Sequence, residues 1–227
     1  MTKINSAAGS TLPTLTASPS LTKPTLPKPE PLPLPKPGPG LLDKFLTPSR
    51  SEKLAKTQAG QLNSIEKGVK SGALTEQEAS KLLTEQANVA EATSRAAADG
   101  VITAKEAASI QLQQAKAGLD VFLASHNSAH SAPKDPAVAQ KQASQLDRIA
   151  QGVSSGSLTG AEASTLLKDQ ADIAQTVSDV QSDGEVDFIE QQLVGIRQDA
   201  ASAEIAQDKR NSDKAPHASR LNFPVVF

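Results

Sequence analysis

GVKSGALTEQEAS (68–80) and GVSSGSLTGAEAS (152–164) are two copies of one pattern, 84 positions apart. The match extends without a gap over 61–127 and 145–211, with 24 identities. L-L-x-x-Q-A follows from Leu82 and again from Leu166, then Asp99-Gly100 and Asp183-Gly184, then Glu106 and Glu190. Self-similarity at a fixed offset is the mark of a duplicated structural unit.

Each copy reads as three helices. In the first, Leu54, Leu62, Ile65 and Val69 keep helical spacing up to Ser71-Gly72, where glycine supplies a left-handed stop. Leu82, Leu83, Gln86, Val89, Ala90 and Thr93 mark a second helix ending near Asp99-Gly100, and Ile110, Ala117 and Val121 a third. The second copy repeats this with Leu146, Ile149 and Val153, then Leu166, Leu167, Ala171, Ile173, Val177 and Val180. For the last helix the sequence predicts a core stripe of Ile189, Leu193, Ile196, Ala200 and Ala203. Thr75…Glu78, Thr103…Glu106, Thr159…Glu162 and Asp187…Glu190 are four capping boxes, in which a hydroxyl or carboxylate bonds the N3 amide and the Glu reaches back.

Composition supports an all-α fold. The chain has 227 residues but only five Phe and no Tyr or Trp, so its core rests on Leu, Ile, Val and Ala. That suits close-packed helices better than a β-sandwich. Ten prolines lie between Pro13 and Pro39. Proline lacks an amide donor, and residues 26–40 read as a polyproline II spacer. The predicted organisation is a disordered Pro-rich arm (1–50), a three-helix repeat (51–126), a linker (127–139), a second three-helix repeat (140–211) and a tail ending in an apolar segment (212–227).

The net charge of −2 is interspersed, with no basic cluster of the kind nucleic acid demands. Cysteine is absent, which excludes disulfides, thiolate metal sites and thiol nucleophiles. No apolar run approaches the length of a membrane span, and the first residues lack the apolar core of a Sec signal peptide. The compartment is expected to be cytoplasmic, or reached by a non-Sec export route.

One stretch carries metal chemistry. Calcium takes six to eight oxygens, and a 12-residue EF-hand loop supplies them from positions 1, 3, 5, 7, 9 and 12 around a glycine at 6. With Gly184 at position 6, DVQSDGEVDFIE (179–190) presents Asp179, Gln181, Asp183, the main-chain oxygen of Glu185, Asp187 and Glu190. The other three corners keep the skeleton without the ligands. Arg95 and Ala97 take positions 1 and 3 in one, and Lys67 or Gln151 position 1 in the others. The chain resembles a degenerate EF-hand protein, and resemblance to that family implies one Ca²⁺ in the second repeat. Only 16 residues separate the two loops of each repeat, so each repeat is predicted as a three-helix unit rather than a four-helix lobe. The G-V-x-S-G-x-L-T-x-x-E-A…D-G-x-V/I…E pattern is also similar to a bacterial Ala/Gln-rich repeat family, a resemblance that implies fold more than activity.

Other features are weaker. His126 and His130, four apart, would share a helix face. Pro24 to Pro27 gives a P-x-x-P element for an aromatic groove, and Phe223-Pro-Val-Val-Phe227 is a candidate docking peptide. No nucleophile triad, paired glycosidase carboxylates or phosphate-binding glycine loop is recognisable. The sequence therefore predicts a non-enzymatic helical repeat protein acting through protein–protein contacts, with Ca²⁺ as its candidate ion. The alternative is a metal-free structural or secreted, effector-like scaffold whose ends mediate export or docking.

Overall fold

The computed structural model describes residues 49–130, 132–182 and 188–211, all within one compact unit, Leu42–Phe227. They form six helices and no strand: α1 (Arg50–Ser71), α2 (Glu76–Ala96), α3 (Ala104–Ser125), α4 (Pro136–Ser155), α5 (Gly160–Val180) and α6 (Phe188–Asp208). The stretch expected as a linker gives its last four residues to α4, where Asp135 caps the amides of Ala137 and Val138 and Pro136 takes the first turn. None of these helices is long and apolar enough to cross a membrane. The Pro-rich arm with its P-x-x-P element and the apolar end segment lie outside the described residues.

Capping chemistry sets the helix starts. Thr75, Thr103 and Thr159 each accept from the Glu three residues on, whose carboxylate accepts from the Thr amide at 2.7–2.9 Å. The fourth predicted box begins at Asp187, outside the described residues. Helices α1 and α4 stop at Gly72 and Gly156, both left-handed with φ of 73° and 74°. At the same two stops Gly68 and Gly152 lie under Leu74 and Leu158, so close that an added Cβ would come within 2.5 Å of the leucine.

The repeats do not stand as separate bundles. Gly160 at the start of α5 touches the backbone of Ala90 and Ser94 near the end of α2. Thr75 and Glu76 at the start of α2 share a groove with Ser178 and Gln181 at the end of α5. The two helices are therefore antiparallel, and α1 and α4 are paired the same way, with Ser51 and Ala55 near Val153. A pseudo-twofold axis relates the copies, and their apolar faces close on a common core. Leu62, Ile65 and Leu83 from one repeat and Leu146, Ile149, Leu166 and Leu167 from the other are all fully buried within it. Each such side chain contributes about 1.5–3 kcal/mol relative to exposure. Pooling two faces gives an aromatic-poor chain one core of useful size.

A second regularity is polar. Gln58, Gln86, Gln114, Gln142, Gln170 and Gln198 recur every 28 residues, one per helix, and all are buried. Gln58 donates to the Gln86 carbonyl at 2.9 Å and Gln142 to the Gln170 carbonyl at 3.2 Å. Gln61 and Gln145 donate to the carbonyls of Gln114 and Gln198, and receive from the side chains of Gln86 and Gln170. A helix carbonyl has two lone pairs, so it can accept a glutamine beside its own helical bond. The network fixes the helices' axial register.

The predicted core stripe of α6 requires correction. Ile189, Leu193 and Ile196 are exposed by 74%, 45% and 64%, and Ala200 and Ala203 are exposed too. The buried face is Val194, Gln198, Ala201 and Ile205. These are the partners, 84 positions on, of Ile110, Gln114, Ala117 and Val121 in α3. Helix α6 carries two apolar stripes, and the one inherited through the duplication packs.

Candidate functional site

The corner between α5 and α6 is the one predicted to hold calcium. Helix α5 ends at Val180, position 2 of the proposed loop, and α6 begins at Phe188, position 10. The corner between α2 and α3 has the same bounds, ending at Ala96 and restarting at Ala104. There Gly100 is left-handed and the Asp99 carboxylate accepts from the Val101 amide at 3.0 Å. The two remaining corners are tighter, since α1 and α4 run to position 5.

Of the six proposed ligands, Asp179, Gln181 and Glu190 are described, whereas Asp183, Glu185 and Asp187 lie outside the described residues. Asp179 is exposed in the last turn of α5 and accepts from Gln175 at 2.7 Å. Gln181 caps the helix, and its main-chain oxygen accepts from the Lys134 ammonium at 2.6 Å. The helix bounds fit a loop of EF-hand size, while Lys134 places a cation against its rim. Among the described residues no three His, Cys, Asp or Glu side chains are grouped to hold a metal.

His126 and His130 do not form the helical pair that their spacing suggested. Helix α3 ends at Ser125, and His126 is its cap, stacked on Phe122 with ring centroids 4.3 Å apart. His126 Nδ1 lies 2.8 Å from the Phe122 carbonyl, and His130 Nδ1 lies 3.1 Å from that of Ala73. Each ring is turned to a different carbonyl.

The outer face of α3 has no counterpart among the sequence expectations, and that of α6 is the stripe that the sequence predicted as core. On α3, Leu112 is 74% exposed and Leu119, Phe122 and Leu123 are each 56% exposed. With Ala108 and Ala115, also exposed, they give the spacing 108, 112, 115, 119, 122, alternating steps of four and three. That is the a/d pattern of a helix seam. On α6 the steps 189, 193, 196, 200, 203 are the same kind of seam. The signal was available as a second apolar stripe beside the one that the duplication assigns to the core.

The duplication matches these faces at one large pair, Leu112 with Ile196, both exposed, and departs elsewhere. The partners of Leu119, Phe122 and Leu123 are Ala203, Ala206 and Gln207; those of Phe188, Ile189 and Leu193 are Ala104, Lys105 and Ser109. Helix α3 ends, and α6 begins, at the end of the body where α2 starts and α5 stops. The large exposed apolar side chains of both outer helices therefore gather towards that one end.

Charges lie elsewhere. Asp169, Asp172 and Glu204 line a groove between α5 and α6 with Arg197 as its cation. Burial holds Asp169, Glu204 and Asp208 above the usual carboxylate range, reinforced by negative neighbours: Asp172 for the first, Asp169 and Asp208 for the second, Glu162 for the third. At the start of α2, burial pushes Glu76 up to about 7.

No protein family, characterised protein or solved structure matches the chain.

Proposed function

We propose that this chain is a non-enzymatic helical repeat protein that binds another protein through the outer face of α3. The observation that carries this reading is the exposed seam Leu112, Leu119, Phe122 and Leu123. An amphipathic helix is the partner that a/d spacing fits, with alternate side chains seated between those of α3. Lys105 on the exposed surface of α3 would meet acidic residues flanking the partner's apolar stripe, whereas Lys116 is already bridged to Glu85 and Asp120. Among the described residues the surface grooves bring together no nucleophile and base in the geometry that catalysis requires. The test is co-purification from the producing cells. Wild type should retain its partner and Leu119→Glu should lose it with helicity unchanged; equal retention would refute the reading. A metal-free scaffold working only through its ends would also survive Leu119→Glu.

A second reading concerns calcium, favoured by the helix bounds of the α5–α6 corner, which leave positions 3 to 9 of the twelve outside both helices. Asp179, Gln181, Asp183, Asp187 and Glu190 would supply side-chain oxygens and Glu185 a main-chain oxygen. Bound there, Ca²⁺ would tie the end of α5 to the start of α6. Calorimetric titration of the whole chain beside Glu190→Gln tests it: one saturable event lost in the variant supports the site, and no heat at millimolar calcium removes it.

A further inference from the structure

We propose that the segment Leu221–Phe227 folds back along α6 and covers its outer apolar stripe, Ile189, Leu193 and Ile196. This uses a different helix from the partner surface assigned to α3. Three observations converge on it.

The first is the stripe itself, whose side chains are 45–74% exposed on a helix whose opposite face already packs. An exposed contiguous apolar strip marks an interaction surface. The segment L-N-F-P-V-V-F is apolar, holds two of the chain's five phenylalanines and follows a polar stretch. Proline and paired valines favour an extended strand, which would lay Phe223, Val225 and Phe227 on one side.

The second is reach. Asn211 is held at the end of the body where α5 begins, by the bond from its Nδ2 to Glu162 Oε1. The stripe lies towards the opposite end. From Asp208 back to Ile196 is about 18 Å, and to Ile189 about 28 Å, at 1.5 Å per helical residue. Phe223 is twelve residues beyond Asn211, a span of up to about 40 Å when extended. The apolar segment is therefore long enough to reach the stripe with slack.

The third is charge. The last turns of α6 border the groove of Asp169, Asp172 and Glu204, next to Asp208. Lys214, three residues after Asn211, comes within reach of these carboxylates, and Arg220 follows. Burial and neighbouring negative charge raise Asp169 and Glu204, so a cation placed beside them is favoured.

The absence of Trp and Tyr makes the test direct, because Phe223→Trp creates the sole strong emitter. In the full chain its emission should be blue-shifted from that of a solvated indole and protected from acrylamide. The shift should not change with protein concentration. It should be lost when Leu193→Glu and Ile196→Glu are added, and kept with Leu119→Glu on α3. Circular dichroism checks that the helices persist, and the exposed stripe makes that the expected result. Emission of a solvated indole, or a blue shift insensitive to the α6 pair, would overturn the proposal. A blue shift that grows with concentration would also overturn it, assigning the stripe to a second copy instead. Loss of the shift on Leu119→Glu would place the segment on α3.

Discussion

The side chain of Gln114 donates to the main-chain carbonyl of Leu54 at 2.8 Å, across 60 positions of sequence, and Gln198 does the same to Val138 at 3.0 Å. The same bond occurs once in each repeat, between its last helix and its first. Gln114 is 2% exposed, so its substituents meet protein rather than water. Gln114→Met keeps the volume and loses one net hydrogen bond, with an expected cost of about 1 kcal/mol. Gln114→Glu at neutral pH loses the donor and buries an unpaired charge, at about 3 kcal/mol or more. Urea unfolding of the two variants should separate them by that margin.

Gly160 and Gly195 predict opposite outcomes for the same substitution. A Cβ on Gly160 would lie 2.8 Å from the Ala90 carbonyl oxygen, whereas nothing stands within 4 Å of one on Gly195. Gly160→Ala should force α5 away from α2 and cost about 1–3 kcal/mol, as overpacking does. Gly195→Ala should raise stability by about 0.5–1 kcal/mol, the helix preference for alanine. Thermal unfolding of both variants checks the sign at each position.

Stability should fall between mildly acidic and neutral pH. Glu76 titrates near 7 in the fold against 4.5 as a free side chain, because burial disfavours its charged form. Its groove also holds Lys134, whose ammonium is turned to the Gln181 carbonyl. A raised carboxyl pKa means that the folded state holds the proton more tightly. The contribution is complete below pH 4.5, declines as pH rises, and is gone above 7. The difference amounts to about 3 kcal/mol. The raised groups Asp169, Glu204 and Asp208 act in the same direction. Glu78 and Asp120 act oppositely: hydrogen bonds outweigh burial at Glu78, and the bond from Lys116 lowers Asp120. Denaturation from pH 4.5 to 8 should show Glu76→Gln flattening the decline.

Much of the fold was legible because its signals are local. Gly72 and Gly156 mark helix stops, and Thr75–Glu78, Thr103–Glu106 and Thr159–Glu162 mark starts through bonds three residues long. Hydropathy picks out apolar periodicity, and Leu62, Ile65, Leu83 and Leu166 fell on the buried faces it predicted. It passes over glutamine, so the 28-residue recurrence from Gln58 to Gln198 went unread although it is the most regular feature of the chain. Helix α6 misled for a related reason. Ile189, Leu193 and Ile196 form a stronger apolar stripe than Val194, Ala201 and Ile205, and only the offset of 84 from α3 identifies which one is buried. That the repeats share one core could not be read from either repeat, because each face alone suits a separate bundle as well. For the corner from Asp179 to Glu190, the sequence offers a set of candidate oxygens, of which Asp179, Gln181 and Glu190 lie among the described residues.

If the outer face of α3 takes a protein partner, as proposed, photocrosslinking from that face should capture it. A benzophenone amino acid is placed at Leu119 on the seam, and in a second variant at Gln113, exposed beside it, in the producing cells. Position 119 should give one discrete protein adduct that disappears when Phe122→Ser is added, and position 113 should not give that adduct. No adduct from 119, or the same adducts from both positions, would contradict the account.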